Sequence, residues 1–357
     1  MTNTRRKVDF IIVGQGLAGS ALAMQLLNRG KNILVVDEPQ KNHCSSVAAG
    51  LFNPITGMGI VKTWMAEEIF SSLHQFYAAA QSSLNEKFFF PQLLYRPFTS
   101  IEEQNNWMAK SADHSNHDFL EKIFIDSHWG DHLHDPFGGI LVKQAGFLDV
   151  PAFLFAVRRK LIASESYISE NFDWSEVAFE NDSVRYKEME ASKVISCSGA
   201  DGLSPFFDWL PMRKLKGETI TIRLNEAPRA IYNKGIYVVP TSSGTYKVGS
   251  TYNLKDLEPG ITELGRKELE EKLMGILKMP FEVIDQQWGI RPTTIDRKPI
   301  LGAHPQHPSL IIFNGLGTKG VSLAPYFSGQ LANWLAGDGE IQREVNIKRF
   351  NPLYSGS

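Results

Sequence analysis

Val8-Asp9-Phe10-Ile11-Ile12-Val13 runs directly into Gly14-Gln15-Gly16-Leu17-Ala18-Gly19, and the stretch closes on Asn32-Ile33-Leu34-Val35-Val36-Asp37. The first run has the short apolar character of a buried strand. Leu17, Ala21, Met24 and Leu27 then recur at helical spacing, Gly30 stands where a helix ends, and Asn32–Val36 predicts a second strand. Strand, glycine turn, helix and strand within so few residues make the βαβ unit of a doubly wound α/β sheet. In such a unit Gly14 permits the tight turn, Gly16 lets the backbone approach a pyrophosphate, and Gly19 lets helix and strand pack closely. Leu17 and Ala18 open the helix, whose unpaired N–H groups and partial positive charge suit phosphates. Asp37, 18 residues after Gly19 and followed by Glu38, stands where an acid accepts from ribose hydroxyls. The stretch reads as a dinucleotide site and does not by itself separate NAD from FAD.

Around it lie 357 residues with 43% hydrophobic and 21% charged side chains, enough for two domains or one large domain with an insertion. Lys+Arg 37 against Asp+Glu 39 argues against nucleic-acid binding through a dominant basic field. Cys44 and Cys197 are too few for a disulfide scaffold or a four-thiolate metal site. Arg5, Arg6 and Lys7 precede an apolar stretch in the manner of a leader, but Asp9 and the glycines interrupt it, and removal would delete the fingerprint. No apolar run is long enough to predict a transmembrane helix. The expectation is a cytoplasmic globular protein.

The segment His43-Cys44-Ser45-Ser46-Val47-Ala48-Ala49-Gly50 combines small residues and hydroxyls that could pass close to a bulky planar ligand; read alone it equally fits a capped loop. Helices are expected over 64–83, 151–163, 262–278 and 320–335, and strands over 193–197, 218–223, 236–240, 246–251 and 310–313, with Ser242-Ser243-Gly244 as a hairpin turn. The fold class is therefore α/β: a Rossmann-type domain (residues 1–65, 141–212 and 287–357) interleaved with an α+β substrate domain (66–140 and 213–286) on a mainly antiparallel sheet. Residues 113–135 gather His114, His117, His128, His132 and His134 among aspartates, and they read as a polar surface loop rather than a metal site; no metal is expected. Gly289-Ile290-Arg291-Pro292 is expected to end a β-like run and turn, with Pro292 restricting Arg291. An Arg fork held this way suits bidentate carboxylate recognition. Gly315-Leu316-Gly317-Thr318-Lys319-Gly320 opens the last helix as a second anion or ring-edge site.

Together these stretches resemble the FAD-dependent D-amino-acid oxidase superfamily, which includes glycine oxidase and sarcosine oxidase. The resemblance runs in order through Gly14–Gly19 with Asp37, Ser45-Ser46-Val47-Ala48-Ala49-Gly50 and Cys197-Ser198-Gly199-Ala200. It continues through Lys216-Gly217-Glu218, Gly249-Ser250-Thr251, Gly289-Ile290-Arg291-Pro292 with Asp296, Pro299 and Gly302, and the Gly315–Gly320 turn. Residues 66–140 match poorly. The resemblance implies FAD, non-covalently held because no cysteine sits in the segment where sarcosine oxidase is linked to its flavin. It further implies Arg291 as the substrate carboxylate clamp, Tyr237 and Tyr252 lining the substrate site, and Lys319 at the flavin pyrimidine edge. The implied reaction passes a hydride from the α-carbon of a small amino acid or secondary amine to the flavin, leaving an imine that water hydrolyses. Dioxygen or a carrier would accept the electrons, and the oligomeric state stays open. Other readings are a dehydrogenase using a quinone or carrier protein, a tRNA-modifying oxidoreductase, and a flavoprotein without catalysis. The tRNA reading needs a basic face, which Lys41, Lys62, Arg96 and Lys110 do not evidently form.

Overall fold

The computed structural model describes residues 6–38, 44–56, 61–111, 113, 116–180, 183–200 and 204–355; Lys41, His43 and His114 lie outside the described residues. Arg6–Val13 is a strand whose inner half is fully buried, and it pairs in parallel with Ile33–Asp37 on one side and Met189–Ser196 on the other. Tyr167–Ser169 extends this sheet beyond Ile33–Asp37, Leu310–Asn314 joins Met189–Ser196 in parallel, and Ile300–Ala303 adds an antiparallel edge. Near-continuous apolar strands of this kind are buried on both faces. The helices Leu17–Leu27, Ala66–Leu84, Val150–Ala163 and Gly320–Ala336 share one core with the sheet. Tyr77 on the second of these helices donates to the Val321 carbonyl at 3.0 Å, so the 66–84 segment is tied to the final helix. In register, Val13 stands opposite both Val36 and Ser196. The carboxyl ends of three parallel strands therefore open on one edge, where such sheets bind ligands.

A second sheet has eight strands in the order Phe281–Thr294, Met212–Leu224, Tyr246–Gly249, Ile236–Pro240, Ile231–Lys234, Leu94–Pro97, Gly139–Val142 and Leu120–Phe124. All pairings are antiparallel except that of Ile231–Lys234 with Leu94–Pro97. Its outer face carries the helix Glu263–Met274 over Ile220, Ile222, Val238 and Val248. Thr262 caps that helix, and the buried Glu218 carboxylate accepts from Thr262 N (2.8 Å), Thr262 Oγ1 (2.7 Å) and Gln286 Nε2 (2.7 Å). The sheet thus grips a helix start through one acid.

Three sequence expectations are corrected. Gly289–Pro292 does not leave its strand: Arg291 and Pro292 are still paired with Leu215 and Lys214. Phe281–Thr294 is the outermost strand, and an edge tolerates a residue without an N–H. The helix expected over 262–278 stops at Met274, with Gly275 as its C-cap. Residues 113–135 are not simply a loop, since Leu120–Phe124 is a strand and His132 and Asp135 are buried. Asp135 organises this part by accepting from Tyr95 OH (3.0 Å), Ser127 Oγ (2.6 Å), His128 N (2.9 Å) and Trp129 N (3.1 Å). Those donors hold its carboxyl below the usual range against the opposing effect of burial.

Candidate dinucleotide and substrate site

Each fingerprint glycine is fixed by a distinct contact. Gly14 has φ +96°, and a Cβ on Gly19 would lie 1.9 Å from the Gly14 carbonyl oxygen, so the helix can approach the strand only without that side chain. A Cβ on Gly16 would lie 3.2 Å from Ser45 Oγ. The helix Leu17–Leu27 has Gly16 as its N-cap, no side-chain cap and no acid in its first turn; the Leu17 N–H reaches Ser45 Oγ at 3.3 Å. A helix start left this way holds its positive end for an anion. Ala18 is buried beside Leu17, and the short helix Cys44–Val47 carries Ser45 and Ser46 to this point.

Asp37 is buried and accepts from Gln15 N (2.8 Å), Tyr167 OH (3.3 Å) and Arg158 Nη2 (3.5 Å). Arg158 also donates from Nε to Gln15 Oε1 at 2.7 Å, and its guanidinium lies 5.6 Å from the Tyr167 ring. Burial first, and the Asp37 charge second, push the Tyr167 hydroxyl above its ordinary pKa. Arg158 and Tyr167 lie more than 120 residues from Asp37, and nothing local in the sequence marks them. Glu38 is exposed. Ala48 and Ala49 are half-buried, and Gly50 has a packing reason: at φ +74° its Cβ would lie 1.8 Å from the Leu148 carbonyl oxygen. Ser198 Oγ lies 3.1 Å from Ser196 Oγ, and the Gly199 carbonyl accepts from the buried Asn314 at 2.9 Å.

The inner face of the second sheet supplies the other half. Gly217 stands opposite Gly289, Leu215 opposite Arg291, and Thr219 opposite both Gln287 and Gly249, which in turn faces Tyr237. Paired residues share a face, so Gly217, Gly289 and Gly249 form a glycine floor on which other groups rest: Arg291 over Gly217, Cys44 over Gly289, and Tyr237 with Thr219 over Gly249. The Arg291 guanidinium lies across that floor: a Cβ on Gly217 would be 2.1 to 2.3 Å from its Nη1, Nη2 and Cζ atoms. Arg291 Nη1 donates to the Thr251 carbonyl at 3.4 Å, and its Cζ lies 5.3 Å from the Tyr252 ring. Tyr237 OH would be 2.8 Å from a Cβ on Gly249, and burial raises the pKa of that hydroxyl. Tyr252 is 64% exposed, at the rim rather than on the floor. Lys247, two residues from Gly249 on the same face, is pushed down to about 8 by burial; the sequence reading did not single it out.

The strand Phe281–Thr294 joins the two halves. A Cβ on Gly289 would lie 3.2 Å from Cys44 Cα, and one on Gly317 would lie 3.1 Å from Thr293 Oγ1, so Arg291 sits between the Ser45 segment and the Gly317–Lys319 turn. Gly315 and Gly317 have φ +76° and +57°, and Gly320 packs its Cα against Leu17, with Cδ1 3.1 Å from where a Cβ would be. Thr318 is exposed. Lys319 Nζ donates to Thr56 Oγ1 (3.3 Å) and Thr63 Oγ1 (3.5 Å), with no carboxylate at salt-bridge distance among the described residues. Burial, then the nearby Arg297 charge, lowers its pKa. A desolvated cation held by two hydroxyls is suited to an anionic ring edge. Two surface clefts of about 470 and 500 Å³ flank the helix Ala66–Leu84, away from all these residues. The glycine cradle, the helix start with no acid in its first turn and Lys319, held by two hydroxyls, together fit FAD.

Comparison with known proteins agrees with that geometry. The model of a family described as FAD dependent oxidoreductase (DAO) matches residues 9–334. Over 375 residues the chain is 25% identical to glycine oxidase of Bacillus subtilis, covering 96% of this chain and 95% of that protein. It is 24% identical to the bifunctional protein ThiO/ThiG of Nostoc sp., covering 91% of this chain and 52% of that protein. To the tRNA 5-methylaminomethyl-2-thiouridine biosynthesis bifunctional protein MnmC of Idiomarina loihiensis it is 23% identical, covering 96% and 59% respectively. The chain thus spans little more than half the length of these bifunctional relatives. Among solved structures, glycine oxidase from Bacillus cereus superposes with a TM-score of 0.75 at 20% identity, over 93% of this chain and 96% of that one.

Proposed function

The chain belongs to the FAD dependent oxidoreductase family, and from that premise we propose that it oxidises the C–N bond of a small amino acid or secondary amine, with non-covalent FAD and with dioxygen or a carrier as electron acceptor. The observation that carries this reading is the Arg291 guanidinium lying across the bare Gly217 backbone, beside Tyr237. FAD, when bound, supplies the acceptor for a hydride from the substrate α-carbon. Everything else falls to the protein. The Gly14–Gly19 turn and the helix Leu17–Leu27 would hold the pyrophosphate, with Asp37 at the ribose and Ser45, Ser46, Ala48 and Ala49 along the ring system. Arg291 binds the substrate carboxylate through paired charge-assisted hydrogen bonds, and the glycines of the floor let its guanidinium lie close to the sheet. Tyr237 OH orients the bound molecule, Tyr252 backs the guanidinium at the rim, and Lys319 stabilises negative charge on the ring edge. The division into three dinucleotide-binding pieces and two substrate pieces is part of this proposal. A cytoplasmic setting is part of the same proposal, with Cys44 and Cys197 in no disulfide among the described residues.

Anaerobic titration of the yellow holoprotein with glycine, N-methylglycine, proline and D-amino acids tests the reading: at least one should bleach the flavin. Arg291→Ala should weaken that substrate strongly with FAD content unchanged, and unaltered affinity would sink the clamp. The MnmC similarity favours a second reading, a carboxymethylamino group on a tRNA base as substrate. Against it, Lys62 pairs with Glu67, Arg96 with Glu103, and Lys110 lies over the Trp107 ring, so these three cations are already engaged within the protein. Bleaching by modified tRNA and by no free amino acid would establish this second reading instead.

A further inference from the structure

The row of the floor next to Arg291 carries two polar atoms whose role the clamp does not explain. Thr219 is 2% exposed, and neither Thr219 Oγ1 nor Gln287 Oε1 has a hydrogen-bond partner among the described residues. The two residues stand directly opposite each other across the strands Met212–Leu224 and Phe281–Thr294, on the face that carries Gly217, Gly289 and Arg291. Thr219 turns its methyl toward Gly249, since Cγ2 would be 2.9 Å from a Cβ there. Buried polar atoms without partners cost stability, and paired ones are the rule. Two such atoms on residues directly opposite each other, one row from the Arg291 guanidinium, mark a place where a ligand supplies the missing donors. The opposite face of the same strands shows the contrast, because there Glu218 and Gln286 are fully engaged with Thr262.

We infer that Thr219 Oγ1 and Gln287 Oε1 accept the two N–H groups of a primary amine, so that the floor selects primary α-amino acids over N-substituted ones. This rests on the amino-acid reading of the site and narrows it. The guanidinium lies over Gly217, and Thr219 is one row further along, about 6.7 Å by strand geometry. A small amino acid with a hydrogen bond at each end spans such a gap, carboxylate on Arg291 and nitrogen on the two oxygens. Both acceptors are uncharged. They bind a neutral amine without stabilising its ammonium form as a carboxylate would, which keeps the nitrogen lone pair available as the α-carbon loses its hydride. A neutral secondary amine has a single N–H and leaves one oxygen unpaired.

The test uses holoprotein, titrated anaerobically with matched pairs: glycine and N-methylglycine, and D- and L-alanine with their N-methyl forms. Acetate serves as the amine-free carboxylate. Dissociation constants come from flavin bleaching for the amines and from the shift of the flavin absorbance bands for acetate. The wild type should favour the primary member of whichever pair reacts. Thr219→Val and Gln287→Leu should each weaken that member roughly three- to tenfold, leave acetate binding unchanged and narrow the primary-to-N-methyl ratio. Thr219→Ser, which keeps the hydroxyl, should restore the ratio, separating an amine contact from a packing effect. An unchanged ratio in both variants overturns the inference while leaving the oxidation reading intact, as does a loss of acetate binding equal to the loss for the primary amine. A wild type that binds acetate but is bleached by none of these amines overturns the amino-acid reading, and this inference with it.

Discussion

Replacing Gly217 with alanine tests the clamp without touching the clamping residue. The new methyl would sit 2.1 to 2.3 Å from three guanidinium atoms of Arg291, where ordinary contact begins near 3.4 Å. Gly217 has no positive φ, so the substitution adds bulk and no backbone strain. The crowded atoms are the far end of a flexible side chain, so the protein should fold, load FAD and relieve the clash by moving the guanidinium about 1 Å off the floor. Paired hydrogen bonds to a charged group are worth about 1.5–3 kcal/mol, and a misplacement of this size forfeits much of that. With about 1.4 kcal/mol per factor of ten, the Kd for acetate should rise roughly tenfold to a hundredfold. The assay is the shift of the flavin absorbance bands during acetate titration, with FAD content measured on the same samples. Gly217→Ala combined with Arg291→Ala should add little to Arg291→Ala alone, because both act through one group. An acetate Kd within about twofold of the wild type, with Arg291→Ala strongly impaired, would refute the placement of the guanidinium over Gly217.

Other substitutions probe separate parts. Gly19→Ala would put a methyl 1.9 Å from a main-chain oxygen that cannot swing away, and it should yield apoprotein or unfolded chain, read as the flavin-to-protein absorbance ratio. Lys319→Met should keep FAD but lower its reduction potential by about 30 mV or more, and an unchanged potential would exclude Lys319 from the ring edge. The buried His304 ring accepts from Gln306 N and His307 N through Nδ1 (3.2 Å each), and burial, with His307 adding to it, pushes its pKa down to about 4. Between pH 6.5 and 4 the unfolded chain therefore binds a proton that the native state resists, so stability should fall as pH drops through that window. His304→Asn, which keeps an acceptor and loses the titration, should flatten that part of a denaturant-unfolding profile; an unaltered slope would refute the assignment.

The dinucleotide half of the candidate site was legible because its requirements are local. Gly14, Gly16, Gly19 and Asp37 lie within one βαβ unit, and each answers to a contact made inside or beside that unit. The substrate half was legible only in outline. Arg291 stood out through its proline and its family resemblance, yet its strand was expected to end where it continues, because edge pairing overrides the local cost of Pro292. Gly217, Gly249 and Gly289 come from three strands, and only the register between them makes a floor. Thr219 and Gln287 matter for the hydrogen bonds they lack, which no spacing encodes. The histidine-rich segment was misread as loop because its order comes from one buried acid, Asp135, gathering donors from two directions.

Glu218 lies in the chain between Gly217 and Thr219, yet its carboxylate serves the outer face, where it holds the start of the helix Glu263–Met274. The glycine floor therefore has its back fastened to a helix that packs Leu269 and Leu273 against the outer face of the same sheet. A shift of that helix start would tilt Gly217 and Thr219 together, moving the proposed carboxylate and amine positions as one unit. On the proposed reading, a substitution at Thr262 should therefore shift substrate preference without altering any side chain that a substrate would meet.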